Sequence, residues 1–226
     1  MIGTNTYPGR GIICGKGADD VRFCAYFLTA RSPSSRNRRL AYREDQVLTE
    51  VVDPSQVIDP ALLIYTAMQE VDQRLVVTNG DHSQMIVEGI ANDLSFAASL
   101  KNATYEPDEP HFTPRISALV EDDQYTLSII RRRGTLNERS FYPYRFDEKG
   151  MARIIHTYEG EREPLPSFIG EPRALEIKVA AKEVGSWLWK KLEGSNRLAV
   201  ALWILDGPKR QVMIINEGEG EGRWNG

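Results

Sequence analysis

Six times along the chain, two short apolar runs are joined by a cluster of turn residues, and this rhythm restricts the fold more than any other feature. Residues 11–14 and 21–29 flank Gly15-Lys16-Gly17-Ala18-Asp19-Asp20, and residues 39–43 and 47–52 flank Glu44-Asp45-Gln46. Further pairs are 62–70 with 75–78, 115–120 with 125–131, 141–146 with 152–158, and 198–205 with 211–215, the last around Asp206-Gly207-Pro208-Lys209. Short strands joined by tight turns pair antiparallel. In one of them Ile116, Ala118 and Val120 alternate with Arg115, Ser117 and Leu119, the period of a pleated strand. Two stretches switch to the helical period. Ile86, Ile90, Leu94 and Ala97/Ala98 form the first, with Asp81 or Ser83 as its cap. Ile177, Ala180/Ala181, Val184, Trp187/Leu188 and Leu192 form the second, with Pro172 at its start and Gly194 at its end. No alternation of strand and helix supports a doubly wound fold. The expectation is α+β: two packed antiparallel sheets with helices on their outer faces. Residues 105–114 and 163–172 read as long surface loops, no linker divides residues 1–226, and 217–226 reads as a flexible tail.

Composition removes several functional classes. The longest charge-free apolar run, residues 198–205, is far short of the roughly 20 residues needed to span a bilayer. Residues 1–17 carry no apolar core of signal-peptide length. A formal charge of −4 offers no global field for nucleic acid. Cys14 and Cys24 make no CxxC, and His82, His111 and His156 are too scattered for a local metal motif. Gly9-Arg10-Gly11-Ile12-Ile13-Cys14 has Cys where a dinucleotide fingerprint needs its third Gly, and Gly17 follows Lys16 where a phosphate loop needs Ser or Thr. What remains is a cytoplasmic enzyme or small-ligand binder, with no membrane or nucleic-acid partner and no metal. The hairpin edges and the Trp203-bearing run suggest a homo-oligomer.

Four polar segments interrupt the apolar pattern. Thr29-Ala30-Arg31-Ser32-Pro33-Ser34-Ser35-Arg36-Asn37-Arg38-Arg39 packs four Arg and three Ser behind an apolar run. Guanidinium forks, hydroxyls and free backbone N–H groups suit a phosphate monoester, although a solvated basic loop would look the same. Thr78-Asn79-Gly80-Asp81-His82-Ser83 offers an amide and an imidazole ahead of the first helix; its plain reading is an Asn-Gly turn with an Asp cap. Residues 105–116 carry Glu106, Asp108 and Glu109 with Arg115, either an acid–base set or a rigid acidic loop. Tyr65 stands alone within the run 62–70, ordinarily a sheet position.

Taken in order, Tyr7-Pro8-Gly9-Arg10-Gly11, Ala25-Tyr26, Thr29-Ala30-Arg31-Ser32, Arg36-Asn37-Arg38, Tyr65, the segment 78–83, Tyr105-Glu106-Pro107-Asp108 and Thr113-Pro114-Arg115-Ile116 resemble the archaeal-type IMP cyclohydrolase family. The likeness runs from about residue 7 to residue 120, with a weaker echo at Thr157-Tyr158-Glu159. Pro33-Ser34-Ser35 lengthens the Arg-rich loop relative to that family, and the chain beyond Gly160 diverges from it. The resemblance implies a four-layer αββα sandwich like the core of N-terminal-nucleophile hydrolases. It also implies cofactor-free closure of 5-formamidoimidazole-4-carboxamide ribotide to IMP, a purine ribotide substrate, and this set of roles. Arg31 and Tyr65 act at the formyl oxygen, and Glu106 takes the carboxamide proton. Arg10, Ser32, Arg36, Asn37 and Arg38 cradle the phosphate. Asn79, Gly80 and His82 orient the imidazole carboxamide, with Thr113 and Arg115 on the opposite wall. Two alternatives stay open: a non-catalytic purine-nucleotide-binding module on the same scaffold, and an amidohydrolase using Cys14 or Cys24.

Overall fold

A strand buried on both faces needs apolar side chains at every position, whereas a half-buried one needs them only at alternate positions. In the computed structural model, which describes residues 2–56, 64–207, 211–220 and 222–225, the continuous apolar runs become central strands of two antiparallel sheets. The first sheet contains β1 (Arg10–Lys16), β2 (Arg22–Thr29), β10 (Met151–His156), β11 (Arg173–Glu176), β12 (Arg197–Ile204), β13 (Gln211–Asn216) and β14 (Arg223–Asn225). Their order across the sheet is β11-β10-β1-β2-β12-β13-β14. The second sheet runs in chain order through β3 (Arg38–Arg43), β4 (Gln46–Val51), β5 (Thr66–Val71), β6 (Arg74–Thr78), β7 (Arg115–Glu121), β8 (Gln124–Arg133) and β9 (Leu136–Arg145).

The two sheets share one apolar interior. Ile12, Cys14, Cys24, Tyr26 and Leu28 from the first meet Val77, Ile116, Ala118 and Leu127 from the second. The alternate residues Ile13, Phe23, Phe27, Val200 and Leu202 point outward, onto α4 (Val184–Lys191) through its Val184 and Leu188. On the second sheet Val76, Leu119 and Ile130 pack under α2 (Ser83–Ala91) through Ile86 and Ile90. Each fully buried Val, Leu, Ile or Phe among these side chains stabilises the fold by roughly 1.5–3 kcal/mol. The α+β architecture and the alternation of β7 are as expected from the sequence.

Several local expectations change. Residues 141–146 and 152–158 do not form a hairpin: β9 belongs to the second sheet and β10 to the first. The first helix is two pieces, α2 and α3 (Phe96–Ser99). Asp93 adopts a left-handed backbone that ends α2, and the Ser95 side chain accepts from Ala98 N to start α3. Asp81 does not cap α2; His82 holds that position without a side-chain cap bond. The second helix begins late, because residues 173–176 pair with β10 as a sheet edge. Glu183 then accepts from Ala180 N at 3.1 Å to open the helical segment. Of the run 62–70, strand structure starts at Thr66, and residues 62 and 63 lie outside the described residues, as do Pro208 and Lys209 of the last turn.

The C-terminal residues are tied down rather than trailing. Arg223–Asn225 pairs with β13. Asn216 plugs the outer edge of β3, accepting from Leu40 N and donating to Leu40 O, both at 2.9 Å. A side-chain amide in that position occupies backbone groups that would otherwise template another strand.

Candidate active site

Antiparallel register gathers the polar segments at one end of the two sheets. Arg10 stands opposite Leu28, Gly11 opposite His156, Thr78 opposite Ser117 and Arg38 opposite Val51. The starts of β1, β3, β5 and β7 therefore lie beside the ends of β2, β6 and β10, and the connecting loops carry the candidate residues.

Glu106 is the hub. Its carboxylate is buried, at 3% exposure. Arg10 Nη2 donates to Oε1, and Arg115 Nη1 donates to the same oxygen at 3.3 Å. Arg115 Nη2 reaches on to Asp81 Oδ1 at 2.7 Å. Burying three charges is tolerable only because they compensate one another. Burial opposes the charge on Arg10, yet Glu106, with Tyr158, Tyr65 and Tyr26, holds its guanidinium well above the ordinary range. Gly80 makes room for this arrangement: a Cβ there would lie 1.6 Å from Arg115 Nη1.

Two hydroxyl groups flank the hub. Tyr65, at 6% exposure just before β5, has its hydroxyl 2.8 Å from that of Tyr26. Burial, followed by Tyr65, pushes the Tyr26 phenol up against the opposing pull of Arg10 and Arg38. On the other side Tyr158 bonds to Thr113 Oγ1, which bonds in turn to Asp108 Oδ2. Burial also raises the Tyr158 phenol, while the Arg10 guanidinium pulls it down. Tyr158 stacks on Tyr7 with centroids 5.8 Å apart. The exposed Arg31 guanidinium lies 4.4 Å over the Tyr7 ring, and no described carboxylate pairs with it.

His82 is buried, and burial together with Arg115 holds its pKa down to about 3. The ring is neutral at physiological pH. Nε2 lies 2.9 Å from Ser117 Oγ and 3.3 Å from the Ile116 carbonyl, which ties the ring to the start of β7. Nδ1 is buried without a partner among the described residues. Asn79 spends its amide on the start of β7, donating to Pro114 O at 2.9 Å and accepting from Ile116 N at 2.8 Å.

The Arg-rich loop divides. Arg38 is buried, donates from Nε to Ser35 O at 3.0 Å and bears on Tyr26. No described carboxylate neutralises it. Ser32 instead caps the four-residue helix α1 (Pro33–Arg36), accepting from Ser35 N. Arg36 donates to Ala30 O at 3.1 Å and Ser195 O at 2.8 Å, and it pairs with Glu217. Asn37 exchanges two 2.7 Å bonds with the Asp53 backbone. Thus Arg10, Arg38, Tyr65, Glu106, Thr113 and Arg115 converge, with His82 and Gly80 behind Arg115 and Arg31 at the rim. Ser32, Arg36, Asn37 and Asn79 are engaged in holding backbone. A recess of about 610 Å³ borders Tyr65, and one of about 430 Å³ borders Arg36, Asn37 and Arg38.

Sequence reasoning assigned no role to Tyr7, Tyr26 or Tyr158, offered Asp81 only as a helix cap, and offered Asp108 only as one carboxylate of an acid–base set. Tyr7, Tyr26 and Asp108 lie within motifs that were already visible, so their position in those motifs was the available signal. Tyr158 lies more than forty residues beyond the last strong motif, and only chain folding brings it back. Cys14 and Cys24 face each other in the core, fully buried and unoxidised, with Sγ atoms 3.0 Å apart. Burial pushes the Cys14 thiol well up, which disfavours the nucleophilic thiolate.

Among the described residues no helix is long and apolar enough to cross a membrane. The family model described as IMP cyclohydrolase-like protein matches residues 7–208. The IMP cyclohydrolase of Methanocaldococcus jannaschii is 27% identical over 219 residues, covering 94% of this chain and the whole of that protein. That of Methanopyrus kandleri is 27% identical over 164 residues, covering 71% of this chain and 79% of its own. That of Methanothrix thermoacetophila is 32% identical over 127 residues, covering 54% and 62%.

Proposed function

This chain belongs to the IMP cyclohydrolase-like protein family, and on that premise we propose that the cluster around Glu106 closes the six-membered ring of IMP. The substrate is 5-formamidoimidazole-4-carboxamide ribotide. Its carboxamide nitrogen attacks its own formyl carbon, a C–N bond forms, and the carbonyl oxygen becomes the hydroxyl of a tetrahedral carbinolamine. Loss of that hydroxyl with a nitrogen-bound proton releases water and leaves the ring. The reaction is intramolecular, so folding the two substituents together supplies much of the acceleration. Donors aimed at the oxygen supply more.

The observation that carries this reading is the pairing of an acceptor and donors at one end of the sheets. Glu106, with both guanidinium contacts on Oε1, presents negative charge to the carboxamide N–H. Tyr65, its hydroxyl oriented by Tyr26, and Arg31, with which no described carboxylate pairs, face the formyl oxygen. Arg38 takes the phosphate, on a loop held in shape by Ser32, Arg36 and Asn37. His82 and Thr113 line the pocket, and Asn79 and Gly80 set the position of Arg115. The helices outside the two sheets are read as the αββα order of the N-terminal-nucleophile hydrolase core, in one domain and working in the cytoplasm. The burial of both cysteines counts against a thiol-dependent amidohydrolase.

The direct test is to incubate the protein with the formamido ribotide and follow IMP by absorbance. IMP should form, and Tyr65→Phe should slow turnover about 10- to 1000-fold, the range for losing one such donor. Unchanged turnover in that variant removes Tyr65 from the chemistry. Ribotide binding without any IMP leaves the non-catalytic binder standing.

A further inference from the structure

Tyr158 is buried among groups that work, and the roles above give it none. Its surroundings fix the direction of its hydrogen bond. A carboxylate only accepts. Asp108 accepts Thr113 N on Oδ1 at 2.6 Å and the Thr113 hydroxyl on Oδ2. With its one proton given to Asp108, Thr113 Oγ1 meets Tyr158 as an acceptor, and Tyr158 must donate. The Tyr158 proton is thereby committed, and its oxygen can serve only as an acceptor toward anything else.

That oxygen is also held in place. The ring stacks on Tyr7, and Asn5 Nδ2 donates to the Tyr158 carbonyl at 2.7 Å. Glu106 N donates to Thr113 O at 2.9 Å and Thr157 N donates to Arg10 O at 2.9 Å, which sets Thr113 and Tyr158 beside the Arg10–Glu106 pair. Two acceptors, the Glu106 carboxylate and the Tyr158 oxygen, therefore share one neighbourhood.

We propose that Tyr158 is a substrate-contacting residue whose oxygen, fixed as an acceptor by Thr113 and Asp108, joins Glu106 in taking the two N–H groups of a primary carboxamide. This rests on the cyclohydrolase reading of the same site. Two acceptors on one amide nitrogen select it over a carboxylate, which brings no hydrogen. They also turn its lone pair away from both, toward the carbon it must attack. Thr113 and Asp108 are positioning residues; they act through Tyr158.

The test is ligand preference measured by calorimetry. The two probes are 5-aminoimidazole-4-carboxamide ribotide and its 4-carboxylate counterpart, and thermal melts establish that each variant folds. The wild type should prefer the carboxamide by about 10-fold or more, as a hydrogen bond between polar groups in a buried site requires. Tyr158→Phe keeps the stack and should lose about 10-fold of that preference, with KM for the formamido ribotide rising more than kcat falls. Thr113→Ser keeps the relay and should retain the preference; Thr113→Val should lose it. Asp108→Asn can donate to Thr113 and reverse the chain, so that Tyr158 donates into the pocket and carboxylate binding improves. A folded Tyr158→Phe or Asp108→Asn with wild-type preference overturns this inference while IMP formation still supports the cyclohydrolase. A wild type that binds neither ribotide overturns both.

Discussion

Replacing Gly80 by Ala tests the hub through geometry alone. The new Cβ would sit 1.6 Å from Arg115 Nη1, and ordinary contact begins at 3.4 Å, so the guanidinium must retreat by about 1.8 Å. The bond from Nη1 to Glu106 is already 3.3 Å and does not survive such a move. The contact with Asp81 counts for little, since that carboxylate is 65% exposed. Glu106 is then left in the interior with Arg10 as its remaining guanidinium partner. Losing one hydrogen bond between charged groups costs about 1.5–3 kcal/mol. Urea unfolding should register that loss, and kcat/KM for IMP formation should fall roughly 10- to 100-fold. The decisive comparison uses an Arg115→Ala background, where the clash has no partner. There Gly80→Ala should cost only a few tenths of a kcal/mol, a coupling that a double-mutant cycle reads directly. If Gly80→Ala costs the same in both backgrounds, the strain lies elsewhere and the hub is not what Gly80 serves.

Acid should weaken the fold through His82. Its pKa is about 3 when folded against 6.5 when unfolded, so between those values the unfolded chain holds the extra proton. Stability is thus fully present above pH 6.5 and lost as pH falls toward 3, by about 2 kcal/mol at pH 5 from this group. Urea midpoints at pH 5 and 7.5 measure it, and His82→Gln should shrink the difference; an undiminished difference would falsify the assignment. Thiol reagents should leave native protein and IMP formation untouched, because Cys14 and Cys24 are fully buried, and both should react on unfolding. Fast native modification with loss of activity would revive thiol chemistry. Arg36→Ala should lower stability by about 1–3 kcal/mol, since its guanidinium serves two carbonyls and Glu217. A raised KM at unchanged stability would instead return Arg36 to the phosphate.

Much of the architecture could be read from residue order. Apolar runs of four to nine residues broken by Gly and Asp fix strands and turns locally, because period and turn chemistry act over a few residues. That logic placed β7 and its inward Ile116, Ala118 and Val120 correctly. The motifs at 7–11, 29–38, 78–83 and 105–116 likewise named the polar segments that gather at one end of the two sheets. Residue order could not say that β9 and β10, neighbours in sequence, part into different sheets. Sheet membership depends on which faces meet across the interior. Nor could it separate Arg38, whose guanidinium no described carboxylate neutralises, from Arg36, which Glu217 binds from 181 residues away. Equal charges in one loop differ only by what the rest of the chain brings against them. The same holds for Tyr158. It is an unremarkable residue in a weak motif until β10 returns beside β1 and sets its hydroxyl against Thr113. Sequence determined which groups the chain possesses and which segments carry them. Tertiary structure decided which charges are neutralised and which way each hydrogen bond points, because both depend on neighbours that only long-range antiparallel pairing supplies.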